Sequence, residues 1–311
     1  MIHAARTRIK AAALTIARRH PAARNHVMRA AAKRGRSLVL CYHCVAPDGG
    51  GEHAIEPIPP WRFADQMRAL KEAGDVVDLG DLLSLPSARG RPAFAVTFDD
   101  DEPSLVQHAL PILRELDIPA TFFLSGRSLH GLGPYWWTLV ERSVVEIGLE
   151  ATSRLIGHRG LTLREMVRSC RISGIVPALR VRDTPSVMAT RDVRMLADAG
   201  MTIGFHTLHH LALPALDGPR LAEALSEGRG ALSAAAGVPI DFLAYPYGLA
   251  DHRVAHAARV AGYRAAWVTG NRPMTRESDA FLLPRWQPGA VDGVELLGEM
   301  ALRLTAAGLS R

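Results

Sequence analysis

Four consecutive acidic residues end a short apolar segment of this chain. The run at residues 94–98 is apolar, β-branched and aromatic, and Asp99, Asp100, Asp101 and Glu102 follow it directly. Such a run is typical of a fully buried strand, so the acids belong at its C-terminal end. In a parallel α/β fold, ligands and catalytic groups collect at that end. Adjacent carboxylates repel one another, which favours a bound cation or a shared proton, with a solvated acidic turn as the alternative.

Two further apolar runs end in polar or unusual residues. His206 and His210 follow the run at 201–205 and stand four residues apart, a common spacing for two imidazoles on one metal. The run at 241–245 ends in Pro246 and Tyr247. Three such endings on three predicted strands indicate one shared site at the C-terminal ends of the strands.

The motifs at these three places resemble those of the polysaccharide deacetylases, which carry the NodB-homology domain and form carbohydrate esterase family 4. Residues 97–100 (Thr-Phe-Asp-Asp) are similar to the first motif, 206–210 (His-Thr-x-x-His) to the second, and 245–248 (Tyr-Pro-Tyr-Gly) to a variant of the third. Residues 40–45 also resemble the opening strand of one subgroup. The likeness runs from residue 37 to residue 288, and the ordered pair of the first two motifs makes it specific.

The resemblance implies a metal-dependent deacetylase that hydrolyses an N-acetyl or O-acetyl group of a glycan or glycoconjugate. It implies Asp99 as the general base and Asp100, His206 and His210 as ligands of a divalent metal that activates water. The ligand types make Zn²⁺ the default, and they would also accept Co²⁺, Ni²⁺ or Fe²⁺. The expected substrate is an N-acetylated glycan or a lipid-linked sugar.

The two adjacent aspartates raise a geometric problem, because successive residues of a strand point to opposite faces. Asp99 and Asp100 can serve one site only if the backbone turns between Phe98 and Asp100. The family has glycine after the pair, whereas this chain has Asp101, and aspartate tolerates the left-handed conformation better than most residues. Asp101 and Glu102 are alternatively spare ligands or loop caps.

Two catalytic groups of the family lack a counterpart at their usual positions. The arginine that opens the third motif is replaced by Ala244; Arg285 is the candidate substitute, with a surface arginine as an equal alternative. The late histidine that acts as general acid is absent. His43 near the end of the first strand is the best replacement, and a structural histidine is its rival.

The remaining candidates are aromatic or belong to the third motif. Tyr247, beside Pro246, by resemblance donates its backbone N–H to the oxyanion of the reaction. Trp267 either lines the acetyl pocket or packs in the core. Trp136 and Trp137 either form a sugar-stacking platform or pack under an insertion.

Strands and helices alternate along the chain, which predicts a parallel sheet. Helices that end in Ala-Gly are each followed by an apolar strand. The strands are predicted at 37–45, 76–79, 94–98, 120–124, 201–205, 242–245, 264–268 and 281–283. Eight strands are enough to close a barrel, and the resemblance implies a distorted (β/α) barrel of the glycoside hydrolase and deacetylase type. Residues around 130–190 are predicted to form a helical insertion over its mouth.

The charge distribution divides the chain at residue 36. Residues 1–36 carry ten Lys/Arg and no Asp/Glu, whereas the remainder is mildly acidic. We therefore expect a basic helical tail at 1–36, broken at Pro21, and one deacetylase-like catalytic domain at 37–311. The acidic body excludes a nucleic-acid-binding domain. The tail could contact an anionic membrane surface peripherally, or it could be a solvated helix without a partner.

Cysteine usage and hydropathy favour a cytoplasmic location. Three cysteines form no disulfide framework, and Cys41 and Cys44 are interpreted as core thiols of the first strand. No segment has the length of a membrane span, and no clear signal peptide opens the sequence.

Two other functions remain open at this stage. An amidase of the same fold could act on a non-sugar C–N bond with the same metal site. A catalytically inactive glycan-binding member is favoured by the missing arginine and late histidine, and disfavoured by the presence of Asp99 and all the expected metal ligands.

Overall fold

The structure is a computed structural model that describes residues 20–47, 55–85, 90–157, 162–163, 165–168 and 187–305. The strands are β1 (Leu38–Tyr42), β2 (Asp75–Val76), β3 (Ala93–Asp99), β4 (Ala120–Leu124), β5 (Thr202–Phe205), β6 (Phe242–Ala244), β7 (Ala265–Thr269) and β8 (Leu283–Arg285). The α-helices are α1 (Pro21–Lys33), α2 (Pro60–Ala73), α3 (Leu79–Ser84), α4 (Leu110–Glu115), α5 (Trp136–Ile147), α6 (Leu149–Leu155), α7 (Thr190–Asp198), α8 (Gly218–Ser226), α9 (Arg229–Ala236), α10 (His252–Val260) and α11 (Gly293–Thr305).

The strands form a nearly closed parallel barrel. Seven of them follow one another in the order β1-β3-β4-β5-β6-β7-β8, and the short β2 pairs with the beginning of β3. The ring closes just after β8, where Cys41 donates its N–H to the Trp286 carbonyl and Trp286 donates to the Val39 carbonyl, each at 2.9 Å. The predicted (β/α) barrel is thereby confirmed, and the C-terminal ends of its strands lie at one rim.

Two apolar cores hold the barrel together. The inner core fills the barrel, and its large members include Phe123, Phe242 and Trp267. The outer core lies between the strands and the surrounding helices and includes stacked rings such as Phe98 and Phe122, whose centroids are 4.6 Å apart. Burial of each large apolar side chain contributes about 1.5–3 kcal/mol to the free energy of unfolding. The two close-packed cores therefore form a stable frame for the rim.

Two predicted strands are displaced from their observed positions. The segment predicted at 76–79 pairs only over Asp75–Val76, because α3 begins at Leu79, where Asp78 accepts the Gly80 N–H at 2.6 Å. The last strand begins at Leu283 rather than at Phe281, since the Asp279 side chain accepts the Phe281 N–H and makes a turn there. This shift places Arg285 inside the strand.

Part of the predicted insertion is described, and it is helical. Helices α5 and α6 pack beside a small separate cluster of Val140, Leu163 and Met166. Trp136 and Trp137 begin α5 and face the barrel's mouth, where both line a cavity. Residues 158–161, 164 and 169–186 of the predicted insertion lie outside the described part of the chain.

The N-terminal region contributes a packed helix. Helix α1 begins at Pro21, where the sequence predicts a break, and it buries Met28, Ala31 and Ala32 against α11. Arg36 then donates a hydrogen bond to the Leu304 carbonyl at 2.8 Å. The division of the chain at residue 36 stays a prediction, although residues 21–33 join the same outer core as the barrel. Residues 1–19 of the predicted tail are not among those described.

Membrane-spanning helices were sought among the described residues. None of the helices there combines the length and the apolar character needed to cross a bilayer.

We predict that a protein starting at Gly35 is less stable than one starting at His20. The longer deletion removes α1, and the loss of the buried Met28 side chain alone corresponds to about 2–5 kcal/mol. Urea denaturation of both proteins measures the difference. Equal unfolding midpoints would show that α1 is a dispensable appendage, as the charge distribution alone suggests.

Candidate active site

The rim of the barrel holds a cavity of about 390 Å³ at the ends of the strands that carry the three motifs. Its lining combines carboxylates, imidazoles and aromatic rings. The lining includes the predicted site residues His43, Asp99, Asp100, His206, His210 and Tyr247, together with Trp136, Trp137, Thr269 and Gln287.

Asp100, His206 and His210 form a compact triangle of ligand atoms. Asp100 Oδ1 lies 3.7 Å from His206 Nε2 and 3.6 Å from His210 Nε2, and the two imidazole nitrogens are 3.2 Å apart. A tetrahedral metal with ligands at about 2.1 Å would set its ligand atoms about 3.4 Å from one another. The observed triangle therefore has the size of one face of such a coordination sphere.

Backbone strain is concentrated at the motif residues. Asp100, Thr207, His210 and Tyr247 adopt positive φ angles of 73°, 59°, 52° and 59°, and Asp117 is the one other non-glycine residue with positive φ in the described chain. Such conformations are unfavourable for non-glycine residues and cluster at functional sites. The turn at Asp100 solves the geometric problem of the adjacent aspartates, since it brings both carboxylates to one side. The left-handed residue is thus Asp100 itself, whereas the sequence suggested Asp101.

The two histidines are held by different surroundings. His206 Nδ1 donates to the Ala244 carbonyl at 2.8 Å, which leaves the Nε2 lone pair directed into the triangle. The His210 ring is instead enclosed by aromatic rings, with centroids of Tyr247 at 4.5 Å, Trp137 at 4.8 Å and Tyr135 at 5.4 Å. Burial lowers the pKa of both imidazoles, so both are neutral and able to act as ligands.

Asp100 is a buried carboxylate with negative charges around it, and a hydrogen bond with the Tyr135 side chain compensates it only in part. Its Oδ1 has no hydrogen-bond partner within the described ranges. Burial, followed by the negative charges of Asp99 and Asp101, raises the pKa of Asp100 well above its usual range. A divalent cation would supply the missing positive charge, so these residues fit a metal ion on both geometric and electrostatic grounds.

Asp99 forms a buried bidentate ion pair with Arg285. Arg285 Nη1 donates to Oδ1 at 2.6 Å and Nη2 donates to Oδ2 at 2.7 Å, and Nη1 also reaches Thr97 Oγ1 at 3.1 Å. Burial alone would raise the pKa of Asp99, but the charge and hydrogen bonds of Arg285 hold it well below its usual range. Arg285 is buried inside the barrel mouth, so the alternative of a surface arginine is wrong.

Asp101 has a structural role in the same loop. Its carboxylate accepts the backbone N–H groups of Ser125 at 2.7 Å and Arg127 at 2.8 Å. These bonds fix the loop after β4 against the end of β3. Of the two alternatives for Asp101, a loop cap agrees with these contacts.

His43 lies beside Asp99 and lines the same cavity. Its Nε2 is 3.9 Å from Asp99 Oδ2, and its Nδ1 is 3.0 Å from the amide nitrogen of Gln287. Burial is the main cause that lowers the pKa of His43 to about 4, so the imidazole is neutral near pH 7.

The third motif contributes Tyr247 and Gly248 to the wall of the cavity. Pro246 and Tyr247 belong to a short 3₁₀ turn, Pro246–Gly248, directly after β6. The Trp136 indole donates to the Tyr247 hydroxyl at 3.4 Å. Trp137 is buried and stacks on Tyr135 with centroids 4.4 Å apart, whereas Trp136 is half-buried at the cavity.

One tryptophan, Trp267, and one histidine, His209, lie away from this cavity. Trp267 is fully buried in the inner core between Phe123 and Phe242 and is not among the residues that line the cavity. Its position agrees with core packing rather than with a wall of the acetyl pocket. His209 points to the surface, where its Nε2 lies 3.0 Å from Glu227.

Sequence reasoning missed two residues that contact the site. Cys41, interpreted only as a core thiol, donates from Sγ to Asp99 Oδ2 at 3.5 Å. Tyr135 contacts the ring of His210 and shares a 2.7 Å hydrogen bond with Ser125 Oγ. Cys41 precedes His43 by two residues, and this spacing on one strand could have indicated a shared face. No pattern in the sequence distinguishes Tyr135 from a packing residue.

This barrel, with an Asp/His/His triangle and a carboxylate beside it, defines a deacetylase-type hydrolase. A family model described as polysaccharide deacetylase matches residues 87–266, more than half of the chain. The chain belongs to the polysaccharide deacetylase family, whose members hydrolyse the acetyl linkages of carbohydrates. A search of curated proteins found no match.

Solved structures of deacetylases share the fold. The chain is similar to the deacetylase PplD of Streptococcus pyogenes in complex with acetate, with 15% identity over 85% of this chain and 98% of that chain and a TM-score of 0.60. It is also similar to IcaB from Ammonifex degensii, with 20% identity over 88% of this chain and 98% of that chain and a TM-score of 0.55. A de-N-acetylase from Aggregatibacter actinomycetemcomitans has 17% identity over 83% of this chain and 95% of that chain, with a TM-score of 0.56.

We predict that Arg285→Gln destabilises the protein strongly at neutral pH, because it leaves the buried Asp99 carboxylate unpaired. Removing one partner of such a pair costs about 3–5 kcal/mol. The folded-state pKa of Asp99 lies below its unfolded value of about 3.9, so the pair's contribution is present above that pH and disappears as the pH falls further. The stability difference between Arg285→Gln and the parent should therefore shrink in acid.

Urea denaturation from pH 7 down into the acid range measures this dependence. Arg264→Gln is the matched control. Arg264 is exposed and forms a long ion pair of 4.0 Å with the partly exposed Asp241, so its loss should change stability little. Equal losses in the two variants, or a loss at Arg285 that does not change with pH, would contradict the assigned ion pair.

Proposed function

We propose that the protein is a metal-dependent deacetylase that hydrolyses the acetamide of an N-acetylated glycan. Asp100, His206 and His210 hold the metal, and Asp99 acts as general base. The observation that carries the proposal is the triangle of buried ligand atoms beside a carboxylate that is already ionised and fixed by Arg285. Zn²⁺ is the default metal for these ligands, with Co²⁺, Ni²⁺ and Fe²⁺ as alternatives.

A divalent cation at this position, when bound, would polarise the acetyl oxygen and lower the pKa of a coordinated water toward ~7. Asp99 would accept the proton of the attacking water. Asp99 Oδ2 lies 3.9 Å from His206 Nε2, so the Asp99 carboxylate is next to the ligand triangle but is not a member of it. Arg285 fixes the rotamer of Asp99 and keeps it ionised before each turnover.

His43 is the candidate proton donor to the leaving nitrogen. A neutral imidazole has to gain a proton before it can donate one, and Asp99 Oδ2 lies 3.9 Å from His43 Nε2. In this proposal the proton that Asp99 takes from water passes to the substrate through His43, which replaces the late histidine of the family, and the transfer needs a bridging water or a shorter contact than 3.9 Å. Removal of a positioned acid or base typically costs ~10²–10⁴ in rate.

Tyr247 and the aromatic wall are assigned to substrate binding. By resemblance to the family's third motif, the Tyr247 backbone N–H stabilises the developing oxyanion, while Pro246 restricts the turn that presents it. The half-buried ring of Trp136 at the cavity mouth is suited to stacking against a sugar.

The size of the neighbouring groove supports an oligomeric substrate. A groove of about 620 Å³ adjoins the catalytic cavity and shares His43, Ile55, Val167 and Gln287 with it. The groove in continuity with the cavity can receive further sugars of an oligomer whose acetylated unit occupies the cavity. A lipid-linked sugar remains the alternative substrate, and both the membrane contact of the basic tail and a cytoplasmic location stay predictions from charge and composition.

The structure weakens one rival of this proposal. A catalytically inactive glycan-binding member was favoured in part by the missing third-motif arginine. Arg285 reaches Asp99 from β8 and pairs with it, so this argument no longer holds. An amidase that acts on a non-sugar C–N bond differs only in the pocket, and activity on sugar substrates separates it.

We predict opposite phenotypes for the two adjacent aspartates. Asp99→Asn should keep the metal and lose ~10²–10⁴ in the rate of deacetylation, since it removes the base but preserves the shape of the side chain. Asp100→Asn should weaken metal binding first and lose activity as a consequence. Elemental analysis and hydrolysis of N-acetylated chito-oligosaccharides, each after chelation and reloading with Zn²⁺, measure both properties.

Three outcomes would overturn parts of this assignment. If Asp99→Asn loses the metal while Asp100→Asn holds it, the two roles are reversed. If both variants keep full activity, or if the chelated parent remains fully active, the proposed metal-dependent mechanism is wrong. His209→Ala is the control, because it removes a neighbouring histidine that points to the surface.

A further inference from the structure

A second trio of metal-ligand side chains lies beside the first. Cys41 Sγ is 3.5 Å from Asp99 Oδ2, and His43 Nε2 is 3.9 Å from the same oxygen. One ligand atom of each residue lies within 4.8 Å of the other two. Cys41 and His43 are two positions apart at the end of β1, which explains why both side chains reach Asp99.

We propose that Cys41, His43 and Asp99 form a second, weaker metal site, and that a thiophilic cation bound there inhibits the enzyme. The inhibition rests on the proposed function, because the cation would occupy the base Asp99 and the proton donor His43 together. The site itself depends only on the contacts of these three side chains. It shares no residue with the triangle of Asp100, His206 and His210.

The ligand chemistry selects the ion. A thiolate, an imidazole and a carboxylate form a softer set than Asp/His/His, so the second site should favour Zn²⁺ and Cd²⁺ over Mg²⁺ or Mn²⁺. Binding replaces the proton on Cys41 Sγ with the cation, and that proton is released to solvent. No electron is transferred, and no further reactant is needed.

Asp99 retains the capacity to bind a cation despite its ion pair. A carboxylate offers about four lone-pair sites, and the two hydrogen bonds from Arg285 use two of them. Oδ2 is the oxygen that faces both Cys41 and His43. The Gln287 side chain beside His43 is exposed, so it can turn away from the imidazole.

Three features make this site the weaker of the two. The guanidinium of Arg285 repels a cation, a buried thiol has to give up its proton, and a metal in the first site adds further repulsion. The second site should therefore fill only after the first one, when metal is in excess.

The chain provides a matched control for Cys41. Cys44 lies three residues further on, but its Sγ contacts Ser104 Oγ at 3.5 Å and it is not a member of the trio. The sequence has one other cysteine, Cys170. The double variant Cys44→Ser/Cys170→Ser therefore leaves Cys41 as the sole thiol and serves as the parent for the test.

The first measurement is a Co²⁺ titration of the metal-free parent, followed by absorption and equilibrium dialysis. The first equivalent should bind to oxygen and nitrogen ligands and give no thiolate signal. The second should give thiolate-to-cobalt charge-transfer absorption in the near ultraviolet. With Cys41→Ser added, the first equivalent should bind unchanged and the charge-transfer absorption should be absent. Cys41→Ala replaces Cys41→Ser if the serine hydroxyl destabilises the buried strand.

The second measurement compares turnover at one equivalent of Zn²⁺ with turnover in excess Zn²⁺ or Cd²⁺. Since the second cation masks the base, the parent should lose ~10²-fold or more in rate. Within the Cys41→Ser protein, the ratio of the two rates should stay near one.

The outcomes separate this proposal from the proposed function. A second cobalt ion without thiolate absorption, no second ion at all, or equal inhibition in the Cys41→Ser protein would each overturn the second site. Lack of deacetylation with one equivalent of any suitable metal would count against the proposed function, while the absorption would still decide the second site.

Discussion

Three successive buried carboxylates at the end of one strand are the constraint on which the rest of the site depends. Each is stabilised in a different way. Asp99 is paired with Arg285, and Asp101 accepts two backbone N–H groups. Asp100 has only a hydrogen bond with the Tyr135 side chain, and its Oδ1 has no hydrogen-bond partner in the described structure. Burial of a carboxylate that is not fully paired costs free energy and raises its pKa, so the group is stable only when it binds a proton or a cation. Two neutral imidazoles converge on Asp100 and could bind the same divalent cation. Such a cation would balance the charge of Asp100 and would also be able to activate water.

The barrel stabilises the strained backbone conformations of the motif residues. Four motif residues adopt left-handed backbone conformations that cost of order 1–3 kcal/mol each. The strands that present these residues are held by two cores and by a ring of parallel pairings, so the turns cannot relax independently. A rigid frame of this kind also keeps the ligand atoms close together before any metal binds.

The sequence predicts the repeated elements of the fold and the residues at the ends of strands. Apolar runs bounded by polar residues locate β3 and β5, and the likeness of three motifs to one family locates the ligand triangle. The sequence does not determine the register at β8, because the apolar residues at 281–283 conceal a turn that Asp279 stabilises. It also cannot choose between core and surface for Arg285 or Trp267, since that choice depends on which side chains meet inside the barrel. Tyr135 was missed for the same reason, as its contact with His210 arises only in three dimensions, whereas the spacing of Cys41 and His43 on one strand did carry a signal.

Closure of the barrel has a consequence for folding. The ion pair between Asp99 and Arg285 joins residues 186 positions apart, and Arg285 lies on the last strand of the ring. Contacts between such distant residues carry a large loop-closure entropy and form late in folding. On a ribosome, the chain up to β7 would already contain Asp100, His206 and His210 of the triangle and still lack Arg285, the partner of Asp99. Catalytic competence during synthesis or refolding therefore coincides with the arrival of the final strand, and recovery of activity would follow the kinetics of ring closure rather than those of the earlier βα units.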